Sequence, residues 1–585
     1  MKKNIYDSMM KEMTALEPKS WADIYSFLQN LKKMDTVSDE ISSDNLEYFS
    51  SGIAFLTYDY GIDGVSVEIS KYAKSLETIF PEKNRPDIHL IGGDFHKGSA
   101  SVLLSRWKKF RLFGANGWDK WDKGKWFKRL FLESWDLESN EPDILSQQIW
   151  KMTISLIERL GHYVNQNKVN LFIPVNIFSN PGNIAFSIST IVVSEYFGIP
   201  VLNSNHDFYW EGGKPSEERN DDEEPGIRDH FFTNHKHADF FKLFKAIFPW
   251  NGRKSIHVNI NKEQSSYLIN NLGFEEKNVF ELSTSLSDRF FNDFTNEDIR
   301  SIRLRMAHIL SDGNETITPK TIDEHLKSLK DWMKNQKPVV CSAAGNRELD
   351  LTKDIVYLLQ PTRIIGRKRI EKDIRLISSL LNFKNFLTHL KKNNELSVFL
   401  HITGPVPIEH EEYLISILNE FKEIIKDLDD DIAERIFIGF SVGNEEHRIF
   451  IKKGFKRLSI EDIYHLANII LFPSETEGRG LPIIESSAAK IPIICSRYSP
   501  HEVFDDVVGA NLDPSLRIKF IPFPEEKFSN KFLKNITSLI FDNDFYKKET
   551  EHNREAVKQR FSQDSMQESF KLFLNSILKI IKQDS

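Results

Sequence analysis

Short runs of apolar residues, each about the length of a buried strand, recur along this chain and are each followed by a polar or glycine-bearing loop and a stretch of helical periodicity. The first is Gly-Ile-Ala-Phe-Leu-Thr-Tyr at 52–58, followed by a tight Gly61-Ile-Asp-Gly64 loop and a helical pattern over 65–76. Further runs lie at 88–91, 169–175 and 200–203, with a helical stretch at 187–197 between the last two. The second half repeats the alternation, with runs at 356–361, 398–403, 436–440, 469–472 and 491–495. A strand that is apolar at every position is buried on both faces. Strands of that kind alternating with helices predict parallel sheets with helices packed on both sides. The expected fold class is therefore α/β, with two doubly wound halves facing a cleft.

At 585 residues the chain exceeds what one core organises, and length alone suggests about two to four domains. Residues 1–48 read as an N-terminal helical extension, with Trp21, Ile24, Phe27 and Leu28 at helical spacing. The first α/β domain is expected over 49–335, interrupted at about 98–150 by an insertion crowded with tryptophan and cations. The second is expected over 336–555, because Lys337-Pro-Val-Val-Cys341 turns apolar again after a charged stretch. A terminal helix, with Ser562 as its N-cap, completes the reading over 556–585.

The net charge of −8 gives no whole-chain attraction to nucleic acid, so any anion site has to be local. Cys341 and Cys495 form neither a metal signature nor a disulfide framework, and both read as buried thiols. No run of signal-peptide or membrane-spanning length is present, so the chain reads as cytoplasmic. The tryptophans and cations of the insertion suit either a packed wall or a peripheral contact at the inner membrane face. The packed reading is preferred.

The stretch richest in chemistry is Leu471-Phe-Pro-Ser-Glu-Thr-Glu477-Gly478-Arg479-Gly480-Leu481-Pro-Ile-Ile-Glu485. A strand ends, a glycine loop follows, and Leu481 begins a helix whose first amides and positive dipole end suit a phosphate. Glu477 in the loop and Glu485 about one turn into the helix are placed to accept from sugar hydroxyls. A second element, Leu358-Leu-Gln-Pro-Thr362-Arg363-Ile-Ile-Gly-Arg-Lys368-Arg369, sets two cations after a strand, where they can neutralise a diphosphate and stabilise its departure. Arg367 and Arg369 read as solvent-facing neighbours.

In the Pro-Ser, Glu-Gly, Gly-Leu-Pro and Glu context, with seven residues between Glu477 and Glu485, the sequence resembles the family 4 retaining glycosyltransferases of the GT-B fold. The resemblance implies a nucleotide-diphosphate sugar donor, UDP- or GDP-linked, and transfer of a hexosyl group with retained configuration. It requires no cofactor or metal. It also implies that Glu477 meets the donor sugar and Glu485 the ribose, that Gly478, Arg479, Gly480, Leu481 and Thr362 line the donor, and that Arg363 and Lys368 hold the diphosphate. Arg479 stands where the family has an aromatic residue, and Lys490 where it has a glycine.

In the first half, Asn205-His206-Asp207-Phe-Tyr209 resembles the family segment whose histidine lies beside the donor sugar, with Asp207 and Tyr209 on the acceptor side. Gly61 and Gly64 resemble the first glycine loop and read equally as turn glycines. The acceptor is expected to be a sugar, a phosphorylated small molecule or a lipid-linked glycan. The acidic clusters at 220–224 and 429–431 read as solvated loops in preference to metal ligands. A phosphorylase or sugar-nucleotide epimerase on the same fold, or a non-catalytic nucleotide-sugar-binding scaffold, are the rival readings.

Overall fold

The computed structural model describes residues 2–33, 46–61, 63–136, 138–220, 223–343, 345–426, 428–442, 447–542 and 544–584. The chain divides into two compact units, one built from Met1–Ser285 with Met566–Ser585 and the other from Leu286–Ser565. The division falls at Leu286 and not near 335. The charged stretch after Asn296 forms helix Asn296–Leu310, whose Ile302, Met306, Ile309 and Leu310 are buried in the second core.

The N-terminal unit contains β1 (Ile53–Leu56), β2 (Asp59–Tyr60), β3 (Ile88–Gly92), β4 (Asp94–Phe95), β5 (Lys108–Arg111), β6 (Leu171–Pro174), β7 (Val201–Asn205), β8 (Ser255–Asn259) and β9 (Val279–Glu281). Seven of these form a sheet in the order β5-β3-β1-β6-β7-β8-β9, parallel throughout, and β2 pairs with β4 beside it. The two-residue period of a strand sorts its side chains between two cores. Ile53 and Phe55 point to the layer holding helix Gly64–Ile79 and the terminal helix. Ala54 and Leu56 point to the layer holding helices Glu141–Asn167 and Ile184–Phe197.

The N-terminal helical extension is part of the first unit's core. Helices Lys2–Ala15 and Trp21–Leu31 place Met9, Met13, Trp21, Ile24, Leu28 and Leu31 in that second layer, and Trp21 stacks on Trp135 at 6.3 Å between ring centroids. Ser20 and Asp23 form a capping box that starts the second helix where its apolar face begins. The tryptophan-rich insertion does not interrupt the sheet either. Its Lys-Lys-Phe-Arg segment is the edge strand β5, where charged side chains face solvent and discourage further pairing. Trp107, Trp121, Trp126, Trp135 and Trp150 are buried, so their indoles pack inward and are not presented to a lipid surface. Among the described residues no helix is long and apolar enough to cross a membrane.

The second unit contains β10 (Lys320–Thr321), β11 (Val339–Ser342), β12 (Ile355–Gln360), β13 (Ser397–Ile402), β14 (Ile436–Phe440), β15 (Ile469–Phe472), β16 (Ile493–Cys495) and β17 (Ile521–Pro522). They are ordered β10-β11-β14-β13-β12-β15-β16-β17, with only β11 antiparallel to its neighbour β14. Within it, β14-β13-β12-β15-β16-β17 is the doubly wound order 3-2-1-4-5-6. Cys341 and Cys495 are free and buried, and burial pushes the Cys341 thiol up to about 12. Near the end of the chain, Ser562 separates helices Lys547–Phe561 and Gln563–Asp584, and its Oγ accepts from the Ser565 amide at 3.2 Å.

Candidate functional site

In the second unit the chain winds outward in both directions from β12, so the loops after β12 and β15 diverge and leave a crevice at their carboxyl ends. Both motifs found in the sequence lie there. Lys368, with a side chain 8% exposed, forms an ion pair with Glu477, 12% exposed, across the two loops. Burial lowers the Lys368 ammonium from its usual value, and the Glu477 carboxylate opposes that shift. Arg367, read as a solvent-facing neighbour, is exposed but also bridges the two loops. It donates to the Thr476 carbonyl and lies 3.8 Å from Glu477, while its own carbonyl accepts from the Glu475 amide at 2.8 Å. Arg369 pairs with Glu371 at 2.6 Å and lies 3.8 Å from Glu475. The two loops are thus joined by backbone and side chain together.

Arg363 is exposed, makes no ion pair among the described residues, and adds its charge to that felt by Lys368. Its loop is held from behind by Gly404. A Cβ at that position would lie 2.1 Å from the Thr362 carbonyl oxygen, and the Ile364 amide donates to Pro405 O at 3.0 Å. Thr362 is buried beneath this contact, its hydroxyl turned to the Arg363 carbonyl at 3.4 Å. Gly404 carries no sequence signal of its own, since only the folded loop shows what its missing side chain makes room for.

Gly478 is open on its Cβ side, whereas Gly480 has φ +61° and caps helix Leu481–Ala488. Pro482 has no N–H and the Ile483 amide is bonded to Gly480 O at 3.0 Å, so the amides of Gly480 and Leu481 lead the approach to this helix start. Arg479 is half-buried between the glycines. Glu485 accepts from the Tyr464 hydroxyl at 2.5 Å, and burial together with that carboxylate holds the phenol well above its usual range. Lys490 has φ +58°, a conformation that suits the glycine of the resemblance, and its ammonium lies 2.5 Å from Asp293.

The N-terminal unit has its own point of divergence, between β1 and β6. His206 and Asp207 follow β7, and Asn176 Oδ1 accepts from both of their amides, at 2.8 and 3.4 Å. His206 is buried, with Nε2 3.2 Å from Ser204 Oγ, and Asp207 pairs with Arg228 at 3.1 Å. Tyr209, expected on the acceptor side, is buried, with its ring packed against Phe244 at 4.7 Å and Trp210 at 5.0 Å. The Gly61 amide donates to Ser66 Oγ at 3.0 Å, and Gly64 opens helix Gly64–Ile79 behind the Asp63 cap. Among the described residues no group of His, Cys, Asp and Glu could hold a metal ion. Asp221 and Asp222 of the acidic cluster lie outside those residues.

No protein-family model matches the chain. A mannosylglucosylglycerate synthase of Thermotoga maritima is 30% identical over 228 residues, covering 38% of this chain and 49% of that protein. The chain therefore spans about half the length of that relative. A mannosylglucosylglycerate synthase of Petrotoga mobilis is 23% identical over 451 residues, covering 74% of this chain and 80% of that protein. Among solved structures, a glycosyltransferase from Rickettsia africae ESF-5 matches with a TM-score of 0.50 and 13% identity, covering 90% of this chain and 99% of that one. The fold is GT-B, built from two Rossmann-like α/β units.

Proposed function

We propose that the chain is a retaining glycosyltransferase that moves a hexosyl group from a UDP- or GDP-linked sugar to a hydroxyl of a glycosylated hydroxy acid. The observation that carries this is the buried Lys368–Glu477 pair joining the cation loop to the glycine loop at the crevice of the second unit. Two relatives bear the name mannosylglucosylglycerate synthase, which favours a mannosyl group as cargo and a glucosylglycerate as acceptor.

In this reading the acceptor oxygen attacks the anomeric carbon as its bond to the diphosphate oxygen breaks. The acceptor proton passes to the leaving diphosphate. Arg363 and Lys368 stabilise the negative charge that develops, the Gly480 and Leu481 amides meet the phosphate oxygens, and Glu485 accepts from the ribose. Glu477 holds Lys368 and accepts from the sugar. Tied to an ammonium, it is poorly suited to the nucleophilic role of a carboxylate in retaining hydrolases. The cations supply the countercharge, so transfer needs no divalent metal.

The test is incubation of the purified protein with GDP-mannose or UDP-hexoses and glucosylglycerate, reading product mass and anomeric configuration. Transfer is expected to survive chelation, and Arg363→Ala to lower kcat by about a hundredfold or more. Full turnover by a folded Arg363→Ala protein would reject its role. Sugar release that requires inorganic phosphate and no nucleotide would reject the transferase reading.

A further inference from the structure

The tryptophan-rich insertion is held against the carboxyl ends of β1 and β3 by close packing. A Cβ on Gly93 would lie 2.3 Å from the Asn116 amide nitrogen, and Cβ atoms on Gly117 and Gly182 would lie 2.9 and 2.8 Å from the Tyr58 ring. The Asn183 side-chain amide donates to the carbonyls of Gly114 and Asn116, at 2.8 Å each, and the Trp118 amide donates to Gly182 O at 3.0 Å. Trp118 meets Tyr58 edge-on at 4.9 Å. Three glycines, an asparagine and two aromatic rings thus fix the backbone at 114–118.

What this packing delivers is polar. Asn116 Nδ2 donates to Asp59 Oδ1 at 2.6 Å, and Lys120 Nζ donates to His96 Nε2 at 3.0 Å. Asp59 begins β2, just after β1, and His96 packs beside Gly61 with its Cδ2 3.7 Å from where a Cβ on that glycine would be. Lys120 is exposed and makes no ion pair among the described residues; its hydrogen-bond partner is the His96 imidazole, and its charge is felt by the Asp59 carboxylate. Asp94 is engaged with Arg111 at 3.4 Å. The group offers a carboxylate and an amide suited to hydroxyls next to one ammonium that has no carboxylate within ion-pair distance among the described residues.

We infer that Asp59, Asn116, His96 and Lys120 bind the acceptor, with Asp59 and Asn116 reading its hydroxyls and Lys120, set by His96, taking its carboxylate. This rests on the transferase reading above, and it gives the insertion a specificity role. One ammonium beside an imidazole acceptor matches a singly charged carboxylate better than a doubly charged phosphate.

The test compares Lys120→Met with the parent protein on glucosylglycerate and on a neutral glycoside whose acid is replaced by an alcohol. The expected result is a KM for the acidic acceptor raised about tenfold or more, with donor KM and neutral-acceptor KM changed by less than about twofold. Lys120→Arg is expected to recover most of the loss. An equal rise for both acceptors, or none for either, overturns the assignment. So does a phosphorylated sugar with a lower KM and the same dependence on Lys120. Calorimetric titration with glucosylglycerate alone separates this inference from the transferase reading. Binding by the parent that Lys120→Met weakens supports the site even where no sugar is transferred, and no binding by a parent that does transfer sugar overturns it.

Discussion

Lys368 and Glu477 neutralise each other where water has little access, so removing one leaves the other charged and poorly solvated. Loss of one member of a buried pair costs about 3–5 kcal/mol, whereas replacing both with neutral groups is often nearly free. Lys368→Met should therefore lower both stability in denaturant and turnover. Lys368→Met combined with Glu477→Gln should regain stability while remaining inactive, which separates the structural role of the pair from its chemical one. A second residue ties stability to pH. Burial pushes the Glu211 carboxyl up to about 7, although the Phe208 amide at 2.6 Å and the Gln264 side-chain amide at 2.9 Å both donate to it. With a folded value above the unfolded one, the folded protein holds a proton that the unfolded chain has released across the window from about 4.5 to 7. Stability then falls as pH rises through that window, by on the order of 3 kcal/mol, and is flat above it. Glu211→Gln should flatten the melting temperature between about pH 5 and 8; a parent protein with no such slope would remove the assignment.

Among the elements, helix Leu481–Ala488 depends on its first residue. Gly480 has φ +61°, and a Cβ there would lie 2.1 Å from the Tyr498 hydroxyl oxygen. Gly480→Ala should cost about 1–2 kcal/mol for the left-handed conformation and a further 1–3 kcal/mol for overpacking. Adding Tyr498→Phe removes the oxygen that collides and should recover most of the second part but none of the first, as read by chemical denaturation. This glycine was legible in the sequence because a strand, a glycine loop and a helix follow one another within a short span. Strands β5 and β8 were not. The first is Lys-Lys-Phe-Arg at a solvent-facing edge, where apolar patterning has no cause. The second is Ser-Ile-His-Val-Asn, fully buried, with Asn259 held by Asn205 at 2.9 Å. Its polar residues are buried because β7, the preceding loop and the following helix satisfy them, a condition that does not exist until those segments pack.

On the scale of the whole molecule, the chain ends in the unit where it begins. Met566, Phe570, Phe573, Leu574, Ile577, Leu578 and Ile581 of the terminal helix complete the N-terminal core. At about 1.5–3 kcal/mol for each buried side chain, deleting the helix removes about as much stabilisation as a domain possesses. A chain stopped after Ser562 should therefore lose its N-terminal unit to limited proteolysis while the second unit persists; survival of both would contradict this. The amino-acid sequence by itself determined the alternation of strand and helix, the two α/β units and the motif loops after β12 and β15, because short-range periodicity and loop chemistry dictate those features. Only the tertiary structure decided that the N-terminal helices and the tryptophans belong to the core, that Tyr209 is packed away, and that Arg367, Gly404, Asn116 and Lys120 stand beside the strand ends. Those outcomes depend on which distant segments share a surface, and burial and polar satisfaction between segments far apart in the chain have no counterpart in local pattern.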